Sequence, residues 1–176
     1  RVASRGLGDV YKRQFQSSLK KSIYFSGVGI HNGKAVSMAI EPSDINTGIV
    51  FERTDLLENN IIKASIENVT ESHFCTKIKN NHGVSVSTIE HLMAALNGLN
   101  IDNARIKINS SELPALDGSS YEYVKRIMRA GICTQNQPRN FLKILKKVEV
   151  RDGNRFISIT PSEEFKINVS IHYPNT

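Results

Sequence analysis

The chain has 176 residues, the length of one domain or of one domain with part of a second, and it can bury a core without disulfide or metal staples. With 39% hydrophobic and 23% charged residues, and no apolar run near the ~18–20 residues of a membrane-spanning helix, it is expected to be soluble and to lack a transmembrane segment. The formal net charge of +6 would suit nucleic-acid binding, but half of it lies in residues 1–14, and we do not expect nucleic acid as a partner.

Residues 1–14, "RVASRGLGDVYKRQ", have no hydrophobic periodicity and differ in composition from the rest of the chain. They resemble translated adapter-derived sequence more than protein, and we interpret them as a non-native or disordered leader. They also lack the apolar segment and the small-residue cleavage site of a secretory signal. Cys75 and Cys133 form no CxxC pair; one disulfide is possible, but a reduced, cytoplasmic protein is the more economical interpretation.

From Phe15 the chain is rich in strand-forming segments separated by turn residues. The predicted strands lie in "KSIYFSG", "KAVSMAIEP", "TGIVFER", "NNIIKAS", "HFCTKIK" and "VSVS". The glycine-dense turn "GVGIHNG" joins the first two of them. It is not a dinucleotide-binding fingerprint, because a strand rather than a helix follows it.

Two helices with a strand between them complete the first predicted domain, residues 15–132. The first helix is predicted over about 88–98, ending at Gly98. "IDNARIKI" follows as a half-buried strand, because its apolar residues alternate with Arg105 and Lys107. The second helix is predicted over 120–130, ending at Gly131. Its apolar face is predicted to consist of Tyr121, Val124, Ile127 and Met128.

Residues 133–138 are predicted to form a polar linker that contains a proline. Beyond the linker, "FLKILKKVEV" and "RFISITP" indicate a hairpin around "DGN", and "FKINVSIHYP" indicates a third strand. Three strands with no helix to cover them make a poor domain alone. We therefore interpret residues 139–176 as the truncated start of a second α+β domain.

The segment "STIEHLMAAL", residues 87–96, places an acid beside a histidine in the first turn of the first helix. Ser87 and Glu90 have the spacing of a capping box, in which the serine accepts an N–H of the first turn and the glutamate reaches back to the cap. The core stripe of this helix would consist of Ile89, Leu92, Met93, Leu96 and Leu99. The alternative is that Glu90 and His91 carry chemistry, and the spacing allows both interpretations.

His91 is predicted to point almost directly away from that stripe, because successive helical residues are about 100° apart. Ala94, Ala95 and Gly98, on the same side, are all small, so that another domain, a strand or a ligand could approach this face closely. The zincin pattern His-Glu-x-x-His is absent, and a catalytic zinc normally needs three protein ligands. The spacing alone therefore assigns no metal to His91.

A set of motifs, in this order and spacing, resembles the UDP-3-O-acyl-N-acetylglucosamine deacetylase family. The motifs are "SGVGIHNG", "TGIVFER", "STIEHLMAALNGLNIDNARI", "ELPALDGSS" and "AGI", and the likeness runs from Phe15 to about residue 170. Members of that family are zinc amidases of the committed step of lipid A biosynthesis. The resemblance implies an α+β fold of two similar domains that face each other across the active site, each a two-layer sandwich of a small, mostly antiparallel sheet with two helices.

The resemblance also implies a role for each residue of the acid–histidine pair. His91 matches the family's first zinc ligand, and Glu90 matches its general base. The remaining ligands, a histidine and an aspartate of the second domain, would lie beyond residue 176, together with a further histidine that assists catalysis. The implied cofactor is Zn²⁺, and this fragment is expected to be inactive alone.

Three further residues match substrate-binding positions of the family. Phe74 and Cys75 match a pair near the metal, where Phe74 replaces the usual leucine. Arg155 matches a basic residue, commonly lysine, that contacts the anionic nucleotide portion of the substrate. The alternatives are two ordinary buried strand residues and a solvated hairpin charge. Asp117, in "ELPALDGSS", is assigned no catalytic role.

The predicted function is zinc-dependent hydrolysis of the N-acetyl group of UDP-3-O-acyl-N-acetylglucosamine, with release of acetate, by a protein that is monomeric at full length. The alternative is a non-catalytic α+β binding module with a nucleic-acid or protein partner. A downstream His-x-x-x-Asp segment on a predicted helix would favour the enzyme. A stop codon after residue 176 in the native gene would favour the module.

Overall fold

The computed structural model describes residues 14–171, which divide into two compact units. The first unit ends at Arg139 and the second begins at Asn140. The leader predicted over residues 1–14 lies outside the described residues, except for Gln14. In the described part of the chain, no helix has both the length and the apolar character needed to cross a membrane.

The described residues of the first unit form ten strands and two helices. The strands are β1 (Phe15–Leu19), β2 (Ile23–Val28), β3 (Ala35–Pro42), β4 (Ile49–Arg53), β5 (Ile61–Lys63), β6 (Val69–Thr70), β7 (Lys77–Lys79), β8 (Ser85–Ser87), β9 (Ala104–Ile108) and β10 (Ile132–Pro138); the helices are α1 (Glu90–Gly98) and α2 (Tyr121–Ala130). The main sheet has the order β2-β3-β9-β4-β5, in which only β4 and β9 are parallel. Strands β6, β7 and β8 form a small antiparallel sheet, and a 3₁₀ turn at Ile66–Asn68 precedes it.

One face of the main sheet is buried because its strands alternate between apolar and polar residues. In β9, Ala104, Ile106 and Ile108 are buried while Arg105 is exposed, as predicted for a half-buried strand. The matching residues of β3 are Val36, Met38 and Ile40. The sheet and helix α1 share one hydrophobic core, so the fold is mixed α+β, as predicted.

Helix α1 buries a wider arc than the predicted stripe. Leu92 and Leu96 are in the core as expected, but Ala95, predicted on the face of His91, is also buried. Ala95 lies only about 60° around the helix from Leu92, which places it inside the buried arc. The small residues left exposed beside His91 are Ala94 and Gly98.

Helix α2 presents a different face to the core from the one predicted. Tyr123 and Ile127 are buried, whereas Tyr121 and Met128 are exposed. Tyr123 fixes the orientation, because its ring lies 5.0 Å from that of Phe25 and its hydroxyl donates to the backbone of Pro114. The predicted C-terminal stop is correct: Gly131 follows the helix with φ of 83°, a conformation that glycine adopts without strain.

The linker predicted over residues 133–138 is wrong, because these residues belong to strand β10. This strand pairs antiparallel with β1. Its side chains are held by polar rather than apolar contacts: the buried Asn103 donates to Gln135, and Gln135 donates to the backbone of Ser43. A polar strand of this kind has no hydrophobic period that sequence inspection can detect.

Cys133 and Cys75 are both free thiols.

The second unit contains the predicted hairpin, formed by β11 (Val148–Asp152) and β12 (Arg155–Ile159). The strand predicted from "FKINVSIHYP" does not form over the described residues 165–171. Within residues 14–171 they have no strand to pair with, and a segment without a partner does not constitute a sheet. His172 and the residues after it lie outside the described part.

Candidate active site

Helix α1 starts after a short stretch of unusual backbone. Thr88 has φ of 60°, a left-handed conformation that is rare for a β-branched residue. The N-cap position is Ile89 and no side chain caps the helix, so the capping box predicted for Ser87 and Glu90 is wrong. Ser87 ends strand β8, and its hydroxyl donates to the backbone oxygen of Ser111 at 3.1 Å instead of accepting from the first turn.

The carboxylate of Glu90 is fixed through one oxygen and open at the other. The N–H of Thr76 donates to its Oε2 at 2.9 Å, and the carbonyl of Thr76 accepts from the N–H of Ile89 at 3.4 Å. Within residues 14–171, no donor is bound to Oε1 of Glu90. The negative charge in the first turn is also favourable at the N-terminal end of the helix dipole. Glu90 is therefore oriented by the backbone but keeps one oxygen available to accept a proton.

His91 follows in the same turn and connects the starts of the two helices. Its backbone oxygen accepts a hydrogen bond of 2.9 Å from the hydroxyl of Ser120, the residue before α2. Its half-buried imidazole makes no hydrogen bond to the described residues. The positive form of His91 also helps to lower the pKa of Asp117, after the larger effect of the N–H and hydroxyl of Ser119. An aspartate thus contributes negative charge near this histidine.

Phe74 and Cys75 lie in a turn that is attached to Glu90. They are not in a strand, which excludes the alternative of two buried strand residues. Phe74 is 97% exposed with φ of 58°, and the half-buried Cys75 has its Sγ 3.2 Å from the hydroxyl of Ser72. The next residue, Thr76, is the one that donates to Glu90. The fold therefore brings this turn to the start of α1.

Arg155 belongs to the second compact unit. It is the first residue of β12, pairs in register with Asp152 and is exposed. The role predicted for it in nucleotide binding stays a prediction.

The described residues do not form a complete metal site. In residues 14–171, no group of three or more histidine, cysteine, aspartate or glutamate side chains comes together to hold a metal ion. A half-buried imidazole on a rigid helix, with no hydrogen-bond partner among those residues, is nevertheless suited to be one ligand of a zinc ion.

Sequence inspection missed a buried acid beside the pair, Glu112, which is 1% exposed. Its carboxylate accepts three hydrogen bonds: from the N–H of His31 at 2.9 Å, from the N–H of Asn32 at 2.8 Å and from the hydroxyl of Thr88 at 3.1 Å. Burial raises the pKa of this carboxyl, but these hydrogen bonds bring the pKa below the ordinary value. The segment "SSELP" has no alternation of apolar and polar residues that would indicate a buried Glu112, so only the structure shows that this acid is buried.

Comparison with known proteins gives a consistent result. The model of the LpxC family, described as UDP-3-O-acyl N-acetylglycosamine deacetylase, matches residues 16–176. The chain is similar to the UDP-3-O-acyl-N-acetylglucosamine deacetylase of Shewanella oneidensis, with 42% identity over 159 residues, which is 90% of this chain and 52% of the relative. Proteins of the same name from Shewanella baltica match to the same extent. The chain spans about half the length of the curated relatives it matches.

Proposed function

Because the chain belongs to the UDP-3-O-acyl N-acetylglycosamine deacetylase family, we propose that it is the first part of a zinc-dependent hydrolase. The proposed reaction removes the N-acetyl group of UDP-3-O-acyl-N-acetylglucosamine in lipid A biosynthesis and releases acetate. The observation that carries the proposal is the start of helix α1, where Glu90 has an open carboxylate oxygen beside His91.

We propose that His91 is one zinc ligand and that sequence outside this chain supplies the others. Support comes from its position on a rigid first turn and from the small exposed residues Ala94 and Gly98 on its side of the helix. Zinc bound there would supply the Lewis acidity that hydrolysis of an amide requires. The hydrogen bond from Ser120 to the His91 carbonyl would keep the helix end from shifting when a ligand or a second domain approaches.

Glu90 is the proposed general base. The N–H of Thr76 holds Oε2, which leaves Oε1 to accept the proton of the attacking water. The same carboxyl can then pass the proton to the amine that leaves. General-base catalysis of this kind contributes about 10²–10⁴-fold to the rate.

The proposed substrate contacts are Phe74, Cys75 and Arg155. Phe74 and Cys75 are supported by their turn, which is attached to Glu90 through Thr76. The exposed ring of Phe74 can pack on an apolar part of the substrate. Arg155 is exposed and can bind the anionic nucleotide portion.

The arrangement of the whole protein is also part of the proposal. Its first α+β domain would include strand β10 and end at Arg139, and the residues from Asn140 would be the start of a second domain of the same kind. We propose a cytoplasmic enzyme that acts as a monomer at full length and does not bind nucleic acid.

A chimaera with a relative tests the function directly. Residues 16–176 would replace the matching part of the Shewanella oneidensis deacetylase, whose own second half would complete the protein. We expect the chimaera to release acetate from the UDP-sugar in a zinc-dependent manner, and the 176-residue chain alone to show no turnover with added zinc. A folded chimaera without activity would contradict the proposed function and favour the binding-module alternative. Turnover by the chain alone would contradict the shared site.

The ligand role of His91 has its own control in the same chimaera. His91→Ala is expected to lower both the bound zinc per molecule and the activity. Ala94→Ser, on the same exposed side of α1, changes a residue that needs no metal contact and should preserve both. Full zinc content in the His91→Ala protein would contradict the assignment.

A further inference from the structure

Glu112 joins two segments that are remote in sequence. Its oxygens accept from the amides of His31 and Asn32, in the turn between β2 and β3, and from the hydroxyl of Thr88, just before helix α1. All three donors are neutral, and the carboxylate is excluded from solvent. A buried carboxylate is costly unless its lone pairs are satisfied, so these donors and the acid stabilise one another.

Backbone hydrogen bonds join the segment around Glu112 to Ser87, the residue before Thr88. The N–H of Ser87 donates to Ser111 at 2.9 Å, and the N–H of Leu113 donates to Ser87 at 3.1 Å. These two hydrogen bonds make a parallel bridge between Ser87 and Glu112. The acid therefore extends the edge of the small sheet at the point where β8 leads into α1.

The turn on the other side of Glu112 is shaped to admit the carboxylate. A Cβ atom added at Gly29 would lie 2.6 Å from Oε2 of Glu112 and 2.4 Å from the side-chain oxygen of Asn32. Such contacts are too short for real atoms, so only glycine fits at position 29 without a displacement. The close approach of this turn to Glu112 therefore depends on glycine at position 29.

Thr88 has the conformation that most needs support. A β-branched residue at φ of 60° is strained and persists only where its surroundings enforce that conformation. The hydrogen bond from its hydroxyl to Glu112 is one such constraint. Because Thr88 comes two residues before Glu90, its dihedral angles set the direction in which helix α1 leaves the sheet.

We propose that Glu112 is a positioning residue for the Glu90–His91 pair: its buried carboxylate holds Thr88 in the left-handed conformation from which α1 starts, and fixes the turn of His31 to the same anchor. The effect on Glu90 and His91 is transmitted through backbone, without direct contact with the reacting groups. The consequence for catalysis rests on the proposed function, whereas the effect on the backbone does not.

Amide spectra of the 176-residue chain test this proposal without an activity assay. Glu112→Gln replaces one acceptor oxygen by an NH₂ group, which cannot accept and faces donors. We expect the amide resonances of His31 and Asn32 to shift, and those of Glu90 and His91 to shift with them. Glu52→Gln, at a half-buried glutamate that forms an ion pair with Arg105, is the matched control and should move none of the four.

A second substitution, Thr88→Gly, distinguishes a positioning role of Glu112 from a general loosening of the fold. Glycine adopts φ of 60° without strain, so in a Thr88→Gly background the start of α1 should no longer depend on Glu112. There, Glu112→Gln should still shift His31 and Asn32 but leave Glu90 and His91 in place. Equal shifts at Glu90 and His91 in both backgrounds would overturn the proposal, as would Glu112→Gln shifts confined to the turn.

If the Glu112→Gln chain does not fold, Thr88→Val provides the test. It keeps the β-branched shape and removes only the hydroxyl donor. We expect it to shift the amides of Glu90 and His91 while those of His31 and Asn32 change little. Unchanged Glu90 and His91 resonances would overturn the proposal. A failed deacetylase assay of the chimaera would leave these results standing, so the two proposals fail separately.

Discussion

Glu90 and Glu112 lie on either side of the same strained residue, Thr88, but their carboxylates have different surroundings. Glu112 is excluded from solvent and accepts three hydrogen bonds through both oxygens. Glu90 is half-buried and accepts one, from Thr76, through Oε2 alone. An acid that is held through both oxygens stabilises structure, whereas an acid with one open oxygen can exchange a proton.

This difference assigns separate tasks to two acids of one network. The hydrogen bonds to Glu112 lower its pKa despite burial, which keeps it ionised and bound to its donors at neutral pH. Changing Glu112 should therefore lower the stability of the fold and, through the start of α1, displace the Glu90–His91 pair, whereas changing Glu90 should affect catalysis without a large effect on folding. Substitutions of Glu90, of Glu112 and of Gly29, which packs against Glu112, test whether the two acids have these different roles.

Glu90→Gln should give the largest change, a loss of about 10²–10⁴-fold in kcat of the chimaera, because glutamine cannot accept the proton of the attacking water. The free energy of unfolding of the 176-residue chain should fall by at most about 1 kcal/mol, since the amide oxygen still accepts from Thr76 and only the interaction of the charge with the helix dipole is lost. Steady-state kinetics and urea unfolding measure the two effects. A variant with normal kcat, or one whose loss of activity matches a loss of folded protein, would remove Glu90 from the role of base.

Glu112→Ala should act first on stability. It leaves three donors without an acceptor, that of Thr88 buried and those of His31 and Asn32 partly buried, at a cost of about 1–3 kcal/mol for each group that water cannot reach. We expect the free energy of unfolding to fall by about 3 kcal/mol in total. Glu52→Ala, which removes an exposed ion pair with Arg105, should cost at most about 1 kcal/mol. Equal losses from the two substitutions would show that the hydrogen bonds to Glu112 add nothing.

Gly29→Ala tests the same network from the opposite side. The added methyl group would lie 2.6 Å from the carboxylate of Glu112 and 2.4 Å from the side-chain oxygen of Asn32, so both side chains would have to move. Such overpacking costs about 1–3 kcal/mol. Gly98→Ala is the matched control, because Gly98 ends helix α1 and no neighbouring segment lies within 4 Å of the place that a methyl group would take there. Alanine at this position should stabilise by about 0.5–1 kcal/mol. A neutral Gly29→Ala in urea unfolding would contradict the packing around Glu112.

The sequence predicts the fold best where buried residues recur at the regular spacing of a strand or a helix. The alternation around Arg105 and Lys107 locates β9, and Gly131 locates the end of α2. Strand β10 is missed because Gln135 is bonded to Asn103 rather than packed against apolar residues. The face of α2 is misplaced because one aromatic contact, Phe25 with Tyr123, decides the rotation of the helix.

The candidate site is predictable only in part, for a related reason. The roles of Glu90, His91, Phe74 and Cys75 are predicted from the family resemblance, because the spacing within one helical turn leaves both capping and chemistry open. Glu112 is connected to Thr88 and His31 through tertiary hydrogen bonds, which leave no local signature. The same applies to Ser87, whose capping spacing is overridden because its hydroxyl finds the carbonyl of Ser111.

Acid should weaken the Glu112 network by a smaller amount than alanine does, since a protonated carboxyl keeps one acceptor oxygen. The pKa of Glu112 is below the ordinary glutamate value of 4.5 in the folded chain. Its contribution to stability is therefore fully present above the unfolded pKa and is lost as the pH falls through the folded pKa. The charge of His31, the titratable group that faces Glu112, acts in the same direction by lowering that pKa further.

The measurement is the difference in unfolding free energy between the parent chain and Glu112→Gln, followed from neutral pH to below pH 4.5. Carboxyls such as Asp55 and Asp117, whose pKa values are also lowered, titrate in both proteins and cancel in the difference. We expect the advantage of the parent to be constant near neutral pH and to shrink in acid, because the substituted residue does not titrate. An advantage that grows as the pH falls through 4.5 would mean that burial outweighs the three hydrogen bonds. Glu112 would then be an acid held near neutrality beside the pair, and the division of tasks with Glu90 would fail.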